Sequence, residues 1–189
     1  MRTIIVKIII MFLLPIVVFA AGYLIMTKIC DHDYVLQRVQ RLPDTRDQKP
    51  LNRRWYGYDV QAVNLYWSAF DETAHRCEKC FLKLDLAFPV FYGAAFLASL
   101  LMARGILGKP PRAWLMAPVA VTVVADWTEN LIQLGQLQAF FEHGVNGLQQ
   151  TWIQVASTAT VIKLAFFYGT GVLLLGLIAR VIIQARRSS

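Results

Sequence analysis

The stretch AWLMAPVAVTVVADWTENLIQLGQL, Ala113 to Leu137, decides the fold class. As a helix it is long enough to cross the roughly 30 Å hydrocarbon core of a bilayer, for which about 20 apolar residues suffice. Yet Asp126, Glu129 and Asn130 stand in its middle. An ionised side chain at the bilayer centre costs about 2.5–3.5 kcal/mol on insertion scales. A chain carries such groups where they face a bundle interior, pair with one another, or act on something. Thr122, Asp126, Glu129, Asn130, Gln133 and Gln136 recur every three or four residues, so they share one helix face. Lipid cannot satisfy that face, so it is expected to point inward.

Three more apolar runs lie on either side: Ile8 to Thr27, Leu86 to Ala103 and Trp152 to Ala179. The composition agrees, with 57% hydrophobic residues against about 45–50% in soluble domains. Four spans in 189 residues leave room for one domain. The expected architecture is an all-α integral membrane protein, an antiparallel four-transmembrane-helix bundle. Residues 28–83 are expected to build an amphipathic helical cap on its outer side.

The charge pattern sets the expected topology. Arg2 and Lys7 precede the first run, Arg104, Lys109 and Arg112 fill the second connection, and Arg180, Arg186 and Arg187 follow the fourth run. None of these segments carries an acid, whereas Lys28 to Lys83 mixes ten basic with eight acidic residues. The positive-inside rule then puts both termini in the cytoplasm of a cell with a multi-pass inner (plasma) membrane protein. The net charge of +7 hugs helix ends, which argues against a nucleic-acid partner. The N-terminus has two readings. Val18-Phe19-Ala20 resembles a signal-peptidase site, but the apolar run continues through Met26, beyond a usual signal core. An uncleaved anchor is the expected outcome.

Within the cap, Val35, Leu36, Val39 and Leu42 repeat at helical spacing, an interfacial continuation of the first span. Pro43 and Pro50 bracket a polar turn, Asp44 to Lys49. Asp59 is expected to cap one helix with Val63, Tyr66, Trp67, Phe70 and Ala74 on a single stripe. In the second span, Asp85, Phe88, Pro89, Tyr92, Phe96 and Ser99 share a face, and Pro89 is expected to kink the helix near the carboxyls. Gly144 is the expected stop of the third helix.

Lys163 lies about as far from the outer end of the fourth run as Asp126 does from the outer end of the third, to within a turn. An Asp126–Lys163 or Glu129–Lys163 ion pair is therefore expected. One carboxyl would be in excess and need a proton, a cation or another donor. Asn130 and Tyr92 would orient a ligand, and Asp85 would guard the mouth. No metal site is expected, because His75 and His143 lie outside the spans.

Cys77-Glu-Lys-Cys80 stands just outside the second run and Cys30 just outside the first. All three fall on the oxidising side, so a disulfide within the pair or from one of them to Cys30 is expected. A CxxC at the outer start of the second of four spans resembles the DsbB-type quinone-linked thiol oxidases. Those enzymes carry a second cysteine pair in the outer loop between their third and fourth helices. Gln138 to Thr151 here has none.

Two segments carry a second resemblance: Leu84-Asp85-Leu86-Ala87-Phe88-Pro89-Val90-Phe91-Tyr92-Gly93 and Ala125-Asp126-Trp127-Thr128-Glu129-Asn130-Leu131. Together they are similar to a group of uncharacterised four-helix bacterial inner-membrane proteins with LDxxFPxxYG-like second and DxxEN-like third helices. The resemblance implies a common site of Asp85, Pro89, Tyr92, Asp126, Glu129 and Asn130 and brings no activity with it.

The functional expectation is a buried carboxylate pocket that binds, or acts on, a lipid or amphipathic small molecule. Asp126 and Glu129 would serve as acid and base or as charge anchors. The competing expectations are a thiol–disulfide oxidoreductase using Cys77 and Cys80, and a non-catalytic membrane scaffold or partner subunit. The sequence names no cofactor and leaves the oligomeric state open.

Overall fold

The computed structural model describes residues 2–42, 48–110 and 112–187. Among them the chain forms seven α-helices, two short 3-10 turns and no strand. The helices are α1 (Arg2–Ile29), α2 (His32–Val39), α3 (Val60–Ser68), α4 (Glu72–Leu84), α5 (Phe88–Ile106), α6 (Ala113–His143) and α7 (Gln150–Arg187). The 3-10 turns are Leu51–Arg53 and Gly144–Gly147. Four segments are long and apolar enough to cross a membrane: Ile5–Ile29, Glu72–Ile106, Ala113–Gly147 and Gln150–Arg187. Pro43, most of the expected polar turn at 44–49, and Pro111 lie outside the described residues.

The long helices surround one core. Met11 and Met26 of α1, Tyr92, Phe96 and Leu100 of α5, Val119 of α6 and Leu174 and Leu177 of α7 are all buried in it. A second core joins the short elements to the linked ends of α6 and α7. There Val35, Val39, Leu51, Val63, Trp67 and Leu82 pack with Leu137, Ile153 and Ala156. The described residues between α1 and α4 therefore form a helical cap seated on one end of the bundle, and α4 runs on into α5 within the membrane-long segment Glu72–Ile106.

The helix ends follow from local chemistry. Asp31, at φ 48°, separates α1 from α2 in the left-handed region. Gly144, at φ 62°, ends α6, as glycine after a helix commonly does. The single helix expected from Asp59 to Ala74 is instead two. Asp59 accepts from Ala62 N and starts α3, and Asp71 accepts from Ala74 N and starts α4. Tyr34 donates to Asp71 across 2.6 Å, and Arg38 forms an ion pair with it. The second cap is thus anchored to α2, and the apolar stripe continues across the break because Phe70 and Ala74 both stay buried.

One further expectation is corrected. Pro89 sits in the first turn of α5, where its missing N–H has no helical partner to lose, so it starts the helix and does not kink it. α6 runs to His143, where Gly144 stops it as expected, and α7 begins at Gln150. Apolar patterning stops short of these ends, because polar residues such as Gln138 and Glu142 extend α6 beyond the apolar run.

Candidate functional site

The turn between α4 and α5, residues 85–87, brings Asp85 to the bundle centre. Helix ends leave carbonyls without intrahelical donors, and α6 supplies those donors here. Asn130 Nδ2 donates to the Asp85 carbonyl at 3.2 Å, and Trp127 Nε1 donates to the Leu86 carbonyl at 2.8 Å. The side chain of Asp85 is only 5% exposed.

The polar face of α6 points inward as a whole: Thr122, Asp126, Glu129, Asn130, Gln133 and Gln136 are all buried. Asp126 is its centre. Tyr92 of α5 donates to Asp126 Oδ2 at 2.7 Å, and Asn130 Nδ2 donates to Oδ1 at 3.1 Å. Lys163 Nζ of α7 lies 3.1 Å from the same Oδ1 and also pairs with Glu129 Oε2. Asp126 thus accepts from three donors, Tyr92, Asn130 and Lys163. One ammonium is shared between two carboxyls, and Asp85 makes a third.

The network extends to the cap. Gln133 Nε2 donates to Glu129 Oε1 at 3.0 Å and to the Tyr58 phenol at 2.9 Å. The Tyr58 oxygen also lies 3.4 Å from Thr160 Oγ1, whose hydroxyl donates to the Ala156 carbonyl at 3.0 Å. Burial, reinforced by Glu129, raises the Tyr58 phenol above its ordinary range, so it remains a donor. Tyr58 reaches α7 because Gly57 adopts φ 73° directly against Ser157, where a Cβ would collide. Ser157 Oγ in turn accepts from Tyr58 N at 2.7 Å. At the far end of the stripe, Gln136 Oε1 accepts from Gln149 N at 2.7 Å.

A cavity of about 510 Å³ opens beside this network. Asp85, Asp126, Lys163 and Tyr92 form its charged floor. Phe19 and Tyr23 of α1, Phe88 of α5 and Phe167 of α7 form aromatic walls. Lys49, Arg53 and Trp55 line it from the cap loop, and all three are exposed. The loop is held by the buried Arg54, whose Nε donates to the Lys49 carbonyl at 3.0 Å.

Six residues singled out from the sequence therefore converge: Asp85, Tyr92, Asp126, Glu129, Asn130 and Lys163. Glu129 and Asn130 stand behind the floor and do not line the cavity. The cysteines lie elsewhere. Cys80 of α4 is bonded to Cys30 at the end of α1 (Cα–Cα 5.5 Å), and Cys77 is a half-buried thiol. The disulfide ties the end of α1 to α4 and leaves the CxxC pair open. Sequence reasoning placed Phe88 on the face of Asp85 and Tyr92 but missed Tyr58, Arg53 and the other aromatic walls, Phe19, Tyr23 and Phe167. Only the tertiary fold brings these residues together, and no spacing along the chain marks them.

No known protein family, curated protein or solved structure matches the chain.

Proposed function

We propose that this is a multi-pass inner-membrane protein whose bundle is antiparallel, with both termini cytoplasmic, the cap outside, and the cavity serving as a binding pocket for a lipid or amphipathic small molecule. The observation that carries the reading is the cavity's composition: a buried charged floor, aromatic walls and a mouth beside apolar helices. Polar side-chain contacts within membranes average only about 0.6 kcal/mol. That gain is small beside the cost of inserting Asp85, Asp126 and Glu129, so holding helices together is a weak reason for all three. A mostly apolar pocket with a few convergent polar groups is the usual form of a small-molecule site.

In this reading Asp126 and Lys163 present charge to the ligand, Tyr92 orients it and Asp85 stands at the floor. Glu129 fixes Lys163 from behind, and Asn130 holds Asp126 and the α4–α5 turn. Catalysis on the bound molecule is the stronger form of the proposal, with Asp126 as the group in reach. A thiol–disulfide exchange role would require Cys77 to attack the Cys30–Cys80 bond, and no feature of the pocket supports it.

Native mass spectrometry of the detergent-purified protein beside Asp126→Asn tests the reading. A co-purified molecule held by the wild type and lost from a variant that melts normally is the expected result. Ligand-free spectra for both proteins would leave the scaffold role as the better account.

A further inference from the structure

We propose that the occupant of the cavity is a zwitterionic phospholipid, its head group inserted ammonium-first toward Asp85 and its acyl chains left outside between α1 and α7. The inference rests on the pocket reading above and specifies the ligand's chemistry.

Charge is layered through the cavity. At the floor, Lys163 is already matched to Asp126 and Glu129. Asp85 lines the cavity, is 5% exposed, and among the described residues has no cationic side chain within 4 Å. A buried carboxylate without a counter-ion is costly, and an incoming ammonium would supply one. Between floor and mouth stand the rings of Phe19, Tyr23, Phe88 and Phe167, and aromatic faces attract a cation within about 6 Å. At the mouth the sign reverses. Lys49 and Arg53 are exposed there, and the Arg53 guanidinium is held 4.6 Å over the Tyr23 ring. Guanidinium is well suited to phosphate through paired N–H donors.

A purely anionic head group would meet Asp85 and Asp126 at the floor. A purely cationic amphiphile would have to pass Lys49 and Arg53. A head group carrying ammonium first and phosphate second meets the opposite charge at both levels. The volume, about 510 Å³, suits a head group and not two acyl chains. Apolar surface for the chains continues from the cavity's own lining: Ile16 of α1, one turn from Phe19, and the ring of Tyr168 of α7 are exposed.

The test loads delipidated, detergent-purified protein with equal amounts of phosphatidylethanolamine and phosphatidylglycerol of identical acyl chains, and counts the retained lipid by native mass spectrometry. The wild type should retain phosphatidylethanolamine about tenfold better, the scale of one charge-assisted contact. Asp85→Asn should abolish that preference. Arg53→Gln combined with Lys49→Gln alters only exposed side chains, so it tests the phosphate contact even if Asp85→Asn fails to fold. It should weaken retention of both lipids about tenfold. Retention of both lipids without preference would overturn this inference and leave the pocket reading standing. Retention of neither would overturn this inference, and the pocket reading would then stand or fall on whether another molecule co-purifies with the wild type and not with Asp126→Asn. Displacement by an equal concentration of water-soluble glycerophosphoethanolamine would also overturn the lipid assignment, because a free zwitterion would then be the occupant.

Discussion

The Tyr58 phenol of the cap loop accepts a hydrogen bond from the Gln133 amide of α6 at 2.9 Å. This contact connects a segment outside the long helices to the polar stripe within them. Tyr58→Phe would leave a buried amide hydrogen without an acceptor, which costs about 1–3 kcal/mol. Tyr66 is the internal control, because its buried hydroxyl has no hydrogen-bond partner among the described residues. Tyr66→Phe should therefore be neutral or stabilising. Thermal unfolding of both variants in detergent distinguishes them, and equal losses would show that ring packing alone matters at Tyr58.

Lys163 neutralises two carboxyls at once, so Lys163→Met should be among the most damaging single changes, costing about 3–5 kcal/mol. Adding Asp126→Asn and Glu129→Gln removes the stranded charges and should recover most of the loss. Denaturant titrations of the single and triple variants provide the comparison. A triple variant no more stable than Lys163→Met would mean that the charges are not what the lysine supports.

The Cys30–Cys80 bond predicts a simple labelling stoichiometry. One maleimide per chain should attach to denatured, unreduced protein, at Cys77, and three after reduction. Cys30→Ser should cost about 2–4 kcal/mol through lost cross-linking of the unfolded chain. A Cys77–Cys80 disulfide would instead appear as labelling at Cys30, located by peptide mapping.

His32 predicts a pH dependence. It is buried, stacks on Phe81 with ring centroids 4.0 Å apart, and faces Glu78 Oε2 at 3.5 Å from Nδ1. Burial, aided by Arg53 and opposed by Asp33, pushes its pKa down to about 4 from 6.5. The folded protein therefore takes up this proton less readily than the unfolded chain. Stability should be unaffected by His32 above about pH 6.5, fall as pH drops toward about 4, and lose up to about 3 kcal/mol across that window. His32→Gln should flatten this part of the profile, with Glu78→Gln separating the neighbouring acid's contribution. An imidazole that titrates near 6.5 by NMR would contradict the expectation.

Legibility in the sequence followed the strength of the period. The inward face of α6 could be read because six polar residues in an apolar run admit one helical solution. The Lys163 pairing could be read because rise per residue converts position into depth. The break at 69–71 could not, since it depends on Tyr34 and Arg38 reaching Asp71 from another helix. The role of Pro89 was misread for the same reason. Where α5 begins is set by the turn that Asn130 and Trp127 hold, not by the local apolar pattern. Arg53 and Tyr58 belong to a loop whose position over the bundle is purely tertiary.

The hydrogen-bond chain at Tyr58 also has a direction. The single Thr160 hydroxyl hydrogen has two acceptors in reach, the Ala156 carbonyl at 3.0 Å and the Tyr58 oxygen at 3.4 Å; given to the nearer carbonyl, it leaves Thr160 to accept from the phenol, which itself receives from Gln133. Both amide hydrogens of Gln133 are then occupied, the second by Glu129. Glu129 Oε1 therefore meets an amide hydrogen on the Gln133 side. An amide relays protons poorly, whereas Asp85 and Asp126 open directly onto the cavity, which makes that side the direct path for protons reaching the carboxyl cluster.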